Sequence, residues 1–293
     1  LSDDAPTGGL GQHAEARTLG INAPLHDWLA LNIKDDGAGG PGIAPLPPAA
    51  LMQRTSGTDN PQYFASHGVT IAAALAKASP KPLPHYSSIL DFGVGCGRLA
   101  RIFKGYSGRY VGVDVDIDLI AWVKAALPWV EAELISPNTR LPFAAGTFEA
   151  AISISVFTHM DARHYRFFLN DLARVMKPGG IAMLTLHGER VLQRAEQEDH
   201  LREMLALSTA QIAAAHAALT TGGGFHFIQQ SHPALRRYRY GTTFVNERFA
   251  RKACGALFDV VGLTPGAIHD FQDVLVLRRT DEPAPRALLS GWW

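Results

Sequence analysis

Cysteine is scarce: the 293 residues hold only Cys96 and Cys254. That number excludes a disulfide framework and a four-cysteine zinc centre, and it predicts a reducing compartment. Net charge is absent too, with 27 Lys+Arg against 27 Asp+Glu. Phosphate neutralisation supplies most of the affinity of nucleic-acid binders, so the lack of a basic excess argues against such a partner. No apolar run reaches the roughly 18 residues that a membrane span requires. No basic stretch leads into an apolar one at the N-terminus, so no secretory signal is expected. The chain opens at Leu1 rather than Met, as a processed or trimmed one would. A soluble cytoplasmic protein is the expectation. Charged residues make up 18% against 47% hydrophobic, which excludes global disorder and supplies a sizeable core.

Residues 1–60 are rich in Gly and Pro, as in GAGGPGIAPLPP from Gly37. Such a stretch does not nucleate a helix and predicts an N-terminal arm, partly mobile. A second part, residues 61–293, reads as the main domain. It opens on a helix over 61–77, with Asp59 or Asn60 as cap and Pro61 as first residue. Strands are predicted over 88–92, 110–114, 133–136, 150–155 and 181–187, alternating with helices over 99–104, 118–127 and 161–176. This order implies an α/β fold with a parallel sheet covered on both faces. Regularity then breaks. A helical insertion over 188–257, with an aromatic, histidine-bearing stretch, is longer than an ordinary crossover and predicts a substrate-shaping element. Two closing strands, 258–264 and 273–278, should pair as an antiparallel hairpin turning near Pro265-Gly266.

The strongest chemical signal is ILDFGVGCGRLARIF, from Ile89 to Phe103. A strand ends at Asp91, and Gly93, Gly95 and Gly97 follow at GxGxG spacing. Glycines let the backbone turn tightly against a ligand, and the next helix start offers N–H groups to an anion. Dinucleotide enzymes use a similar turn, but at GxGxxG spacing, and position 98 here is Arg. Asp114 ends the second strand about 20 residues later, where a carboxylate can accept both hydroxyls of a ribose. Two further segments follow in order: LPFAAGTFEAAISISVFTHM from Leu141 and RVMKPGGIAMLTLHG from Arg174.

Together the four segments resemble the class I S-adenosylmethionine-dependent methyltransferases of small-molecule type. The resemblance implies a doubly wound, Rossmann-like sheet of seven strands, mostly parallel, with an antiparallel last strand inserted beside the fifth. S-adenosylmethionine is then the implied cofactor. Asp91, Gly93, Gly95 and Gly97 match the methionine-binding turn, with Arg98 beside the carboxylate. Asp114 matches the ribose acceptor, and Val115 lies along the adenine. An acidic residue is usual near position 137; this chain has Ser136-Pro137-Asn138, so Ser136 or Asn138 takes the adenine contact. Ser155 and Phe157 fall where the fourth strand ends beside the sulfonium. No NPPY-like tetrapeptide stands there, which disfavours methylation of exocyclic base amines.

A hydroxyl acceptor needs a proton sink, and histidine serves near neutral pH. Of 12 histidines, His159 and His187 follow strands four and five, whose C-terminal ends line the site in doubly wound folds. They are the catalytic candidates. His226, His232, Tyr238 and Tyr240 lie in the insertion and are candidates for substrate contact. No metal-ligand spacing is present, so no metal is expected. The reading is methyl transfer to a small molecule or glycan, with O-methylation preferred. N- or C-methylation of a natural-product or peptide acceptor, a non-catalytic methyltransferase-fold partner and a nicotinamide-dependent oxidoreductase are the alternatives. No membrane partner is expected, and self-association is left open.

Overall fold

The computed structural model describes residues 44–231 and 239–281. Its main sheet has seven strands in the order β3-β2-β1-β4-β5-β9-β8. These are β1 (Ser88–Phe92), β2 (Arg109–Asp114), β3 (Val130–Leu134), β4 (Phe148–Ser153), β5 (Met176–Leu186), β8 (Phe258–Ile268) and β9 (Gln272–Arg279). β9 runs antiparallel to both β5 and β8, while the β2–β3, β1–β4 and β4–β5 pairs are parallel. The expected doubly wound sheet with one antiparallel strand is therefore present. All five residues of β1 are buried, as a strand covered on both faces requires. The edge strand β3 instead alternates buried Val130 and Ala132 with exposed glutamates.

The described residues divide into two compact units, one of residues 44–87 and 94–134, the other of 88–93, 135–231 and 239–281. In the first, α1 (Ala49–Ser56) and α2 (Pro61–Ala78) precede β2, α3 (Ile117–Ala126) and β3. Helix α2 starts where its sequence says it should. The Asn60 side chain accepts the Tyr63 N–H, and Pro61 occupies the first turn. Its Phe64, Ala65, Val69, Ile71, Ala72 and Leu75 form one buried face. Phe64, Ala65, Cys96 and Leu119 share a core with Leu46 and Met52.

In the second unit, α4 (Ala162–Val175) is capped by Asp161, whose carboxylate accepts the His164 N–H. The insertion holds α5 (Glu189–Gln197), α6 (Asp199–Leu205) and α7 (Thr209–Thr220), then β6 (Phe225–Gln230), β7 (Tyr240–Val245) and α8 (Glu247–Cys254). Leu192, Leu201, Ile212, Leu219, Ile228 and Phe244 are among the residues of its separate apolar core.

Several expected boundaries move, each for a local reason. Helix α1 lies inside the arm expected to lack one, because the eight residues after Pro48 carry no Gly or Pro and bury Met52. After the glycine turn only a 3-10 helix forms, Ala100–Phe103; two carbonyls outside it, those of Ala44 and Pro45, engage Arg101. β3 begins three residues earlier than expected and ends two earlier, since it pairs with β2 from Val130 opposite Tyr110 to Leu134 opposite Asp114. β5 begins at Met176: Phe148 pairs with Met176 and Ala150 with Ile181, so residues 177–180 form a bulge inside the strand. β8 runs through Pro265 and Gly266, and the hairpin turns at His269 and Asp270, both with positive φ. The insertion is not all helical, because β6 and β7 pair as a two-stranded antiparallel sheet.

Candidate active site

Five of the candidate residues, Gly95, Gly97, Arg98, Asp114 and Val115, belong to the first unit. The Gly95 N–H donates to Asp114 Oδ2 at 2.9 Å, and the Asp116 N–H donates to Oδ1 at 3.0 Å. Backbone N–H groups thus fix the orientation of the carboxylate, as recognition of adjacent hydroxyls requires. Burial pushes the Asp114 pKa up from its usual range, opposed by these backbone donors. Gly95 stands at φ 57°, and a Cβ there would lie 2.6 Å from Thr55 Cγ2. The same threonine accepts the Cys96 N–H at 3.3 Å. Helix α1 therefore buttresses the turn from behind, a role the sequence reading missed. Arg98 Nη1 lies 3.1 Å from His67 Nδ1 on α2. Cys96 is fully buried and its thiol is pushed up to about 11 by burial, so it is a filler and not a nucleophile.

The second unit holds Asp91 and Gly93 at the end of β1, and the ends of β4, β5 and the start of β9. Asp91 is buried, and Gly93 turns at φ 89° with Val156 packed where its Cβ would stand. Ser155 takes φ 59°, in the left-handed region that a β-carbon disfavours. Its N–H donates to Thr185 Oγ1 at 2.8 Å, and its hydroxyl accepts from Gln272 Nε2 at 2.8 Å. Phe157 is sealed in the core between Phe92 and Tyr165, at 6.2 and 4.9 Å between ring centroids. Its side chain is a packing element of β1 and α4.

Ser136 accepts the Asn138 N–H at 3.4 Å, within a turn closed by the Thr139 N–H on the Ser136 carbonyl. Asn138 Oδ1 lies 3.3 Å from His164 Nε2, and His164 Nδ1 lies 2.8 Å from Asp161 Oδ1. With Nδ1–H given to the Asp161 carboxylate, the His164 ring is oriented so that Nε2 faces the Asn138 amide. Asp161 and His164 so fix the Asn138 amide, a support absent from the sequence reading.

The two catalytic candidates come together. Their rings are 6.4 Å apart and perpendicular. His159 Nδ1 lies 2.8 Å from the Gly241 carbonyl of β7, and its ring stacks on Tyr240 at 4.7 Å and 18°. A carbonyl only accepts, so Nδ1 carries the proton and Nε2 of the neutral ring is the basic nitrogen. His187 is different. It is 3% exposed, neither ring nitrogen has a hydrogen-bond partner among the described residues, and Phe244 and Phe271 stand at 5.8 and 5.0 Å. Burial first, and His159 second, depress its pKa to about 3, so it is neutral at physiological pH.

Strand β7 is fastened to the ends of β4 and β5. The Val245 N–H donates to the His187 carbonyl at 2.9 Å, and Thr243 Oγ1 donates to the Met160 carbonyl at 2.5 Å. Tyr240 thus joins the histidines. His226 sits opposite Phe244 at the far end of the β6–β7 ladder from Tyr240. His232 and Tyr238 lie outside the described residues. Two buried polar residues that the sequence gave no reason to select, Gln272 and Asp273, open β9 beside this edge. The Asp273 carboxylate accepts the Gly266 N–H at 2.8 Å, and burial pushes its pKa up to about 6.

Residues 90–184 match the family model described as a methyltransferase domain. Among curated proteins, the chain is 33% identical over 118 residues to the tRNA (carboxymethyluridine(34)-5-O)-methyltransferase of Arabidopsis thaliana. That match covers 40% of this chain and 26% of the relative. It is 32% identical over 127 residues to the ribosomal protein L11 methyltransferase of Thermus thermophilus, covering 42% and 47%. The chain thus spans less than half the length of these relatives. The PH0226 protein of Pyrococcus horikoshii shares the fold at a TM-score of 0.51 and 17% identity, over 75% of this chain and 92% of that one. Among the described residues, no helix is long and apolar enough to cross a membrane. With the glycine turn, the strand-end carboxylate and the sheet order in place, the domain match establishes that the chain carries a class I S-adenosylmethionine-dependent methyltransferase domain.

Proposed function

We propose that the protein transfers a methyl group from S-adenosylmethionine to a hydroxyl of a small molecule or glycan. The observation that carries the cofactor reading is the Asp114 carboxylate, fixed at the end of β2 by backbone N–H groups, those of Gly95 and Asp116 among them. Asp91, Gly93, Gly95, Gly97 and Arg98 are assigned to its methionine end, and Val115, Ser136 and Asn138 to its adenine end. Ser155 marks the place beside the sulfonium. Phe157 contributes through the backbone it anchors. The buried, unbridged Cys96 and Cys254 support a cytoplasmic setting.

When bound, S-adenosylmethionine supplies an electrophilic methyl on a sulfonium, a leaving group that needs no activation. The protein's share is orientation and proton removal. His159 is assigned the proton: the Gly241 carbonyl holds Nδ1–H, which makes Nε2 the basic nitrogen of the ring. His187 is assigned the wall of the site, because a ring with a pKa near 3 binds protons too weakly to serve as base at neutral pH. Tyr240 and His226 are assigned to acceptor contact. The even charge balance supports an uncharged acceptor. The oxygen-directed tRNA enzyme among the relatives supports an oxygen acceptor.

Calorimetric titration tests the cofactor assignment. S-adenosylmethionine and S-adenosylhomocysteine should bind in the micromolar range and NAD should not, and Asp114→Ala should weaken binding at least about tenfold. Unchanged affinity in that variant refutes the assignment. Mass spectrometry over phenols, sugars, amines, tRNA and protein then reads the acceptor: methylation confined to amines overturns the hydroxyl reading, and methylation confined to tRNA or protein overturns the small-molecule one.

A further inference from the structure

Ser155 holds a conformation that a serine does not take without cause. Its φ of 59° places a β-carbon in the left-handed region. Two side chains hold it there, both from other strands. Thr185 of β5, fully buried, accepts the Ser155 N–H at 2.8 Å. Gln272, the first residue of β9 and 8% exposed, donates Nε2–H to the Ser155 hydroxyl at 2.8 Å, with Oε1 at 3.2 Å from the same oxygen. The next residue, Val156, fills the space above Gly93 that a Cβ would claim. Clamp, left-handed turn and glycine form one continuous contact chain within the second unit.

We propose that Gln272 and Thr185 are positioning residues for methyl transfer. They hold Ser155 in the left-handed turn at the end of β4, and Ser155 seats Val156 on Gly93, so the clamp sets the shape of the cofactor turn. The inference rests on the S-adenosylmethionine reading above. Gln272 touches no reacting group, so its effect passes through Ser155. A purely structural account has no need of it, because an apolar residue at so buried a position, opposite β5, would pack at least as well.

The test uses the full chain and S-adenosylhomocysteine as probe, with melting temperature measured in parallel. Gln272→Leu should weaken binding about tenfold while leaving the melting temperature equal or higher, so affinity and stability separate. Thr185→Val, which keeps the shape and removes the acceptor, should weaken it to a similar degree. Ser155→Gly placed in the Gln272→Leu background should recover most of the loss, since glycine adopts the left-handed turn without a clamp. Wild-type affinity in both single variants overturns the proposal, and so does a double variant no tighter than Gln272→Leu. Failure of the wild-type protein to bind the probe sinks the cofactor reading itself, which the variants cannot mimic.

Discussion

Replacing His187 by Phe should make the protein more stable, and increasingly so as the solution is acidified. The wild-type imidazole is buried among Phe244, Phe271 and His159, and both its nitrogens lack partners. Leaving buried polar atoms unsatisfied costs about 1–3 kcal/mol, which an aromatic hydrocarbon of similar shape avoids. The pH dependence follows from the depressed pKa, about 3 against an ordinary 6.5. Between these values the unfolded chain binds a proton that the native ring refuses. Stability is therefore lost as pH falls from about 6.5 towards 3. From pH 7 to pH 5 the loss amounts to about 2 kcal/mol. Urea unfolding of wild type and His187→Phe at pH 7, 6 and 5 should show a gap in stability that widens by that amount. Side-chain NMR gives an independent reading, with a single neutral tautomer for His187 throughout this range. A gap that stays constant, or an imidazole that titrates near 6, refutes the argument.

Asp273 works in the opposite direction. Its raised pKa, about 6 against 3.8, means that the native state keeps a proton the unfolded chain has released, so acidification through this window stabilises. Asp273→Asn should gain about 1–3 kcal/mol at pH 7 and lose about 1 kcal/mol of that advantage by pH 5, read from the same urea series. Gly95→Ala should destabilise by about 1–2 kcal/mol through its positive φ and the Thr55 methyl. Adding Thr55→Ser, which removes that methyl and keeps the oxygen for the Cys96 N–H, should return part of the loss in thermal melts. Asp161→Ala removes the cap of α4 and the partner of His164, and should cost about 1 kcal/mol by chemical denaturation.

The legible parts of the sequence were those whose causes are local. Asn60-Pro61 announces a helix start because a cap acts within three residues. Gly93, Gly95 and Gly97 announce a left-handed turn because no other residue adopts it cheaply, and Asp114 ends a strand that alternation alone identifies. Boundaries set by a partner strand were not legible. β3 stops where β2 stops, and the bulge at 177–180 follows from register with β4, so a KPGG string that reads as a loop becomes part of a strand. The β6–β7 pair hid inside an aromatic stretch for the same reason.

The site divides along the same line. Motif spacing selects Asp91 and Asp114, whose positions at strand ends follow from alternation, and His159, which follows strand four. It cannot separate His159 from His187, although both follow strands and both reach the same edge. What separates them is the neighbour of each ring nitrogen: a carbonyl at Gly241 for one, aromatic carbon for the other. Gln272 carries no signal at all, since it meets Ser155 across 117 residues of chain. A glutamine at the start of an antiparallel strand is ordinary until the strand opposite places a left-handed serine within reach. Because β9 is inserted antiparallel, its first residues arrive at the edge where the parallel strands β4 and β5 end. The one reversed strand of the sheet thereby brings a side-chain amide to an edge that, among parallel strands, is built from strand ends and their loops.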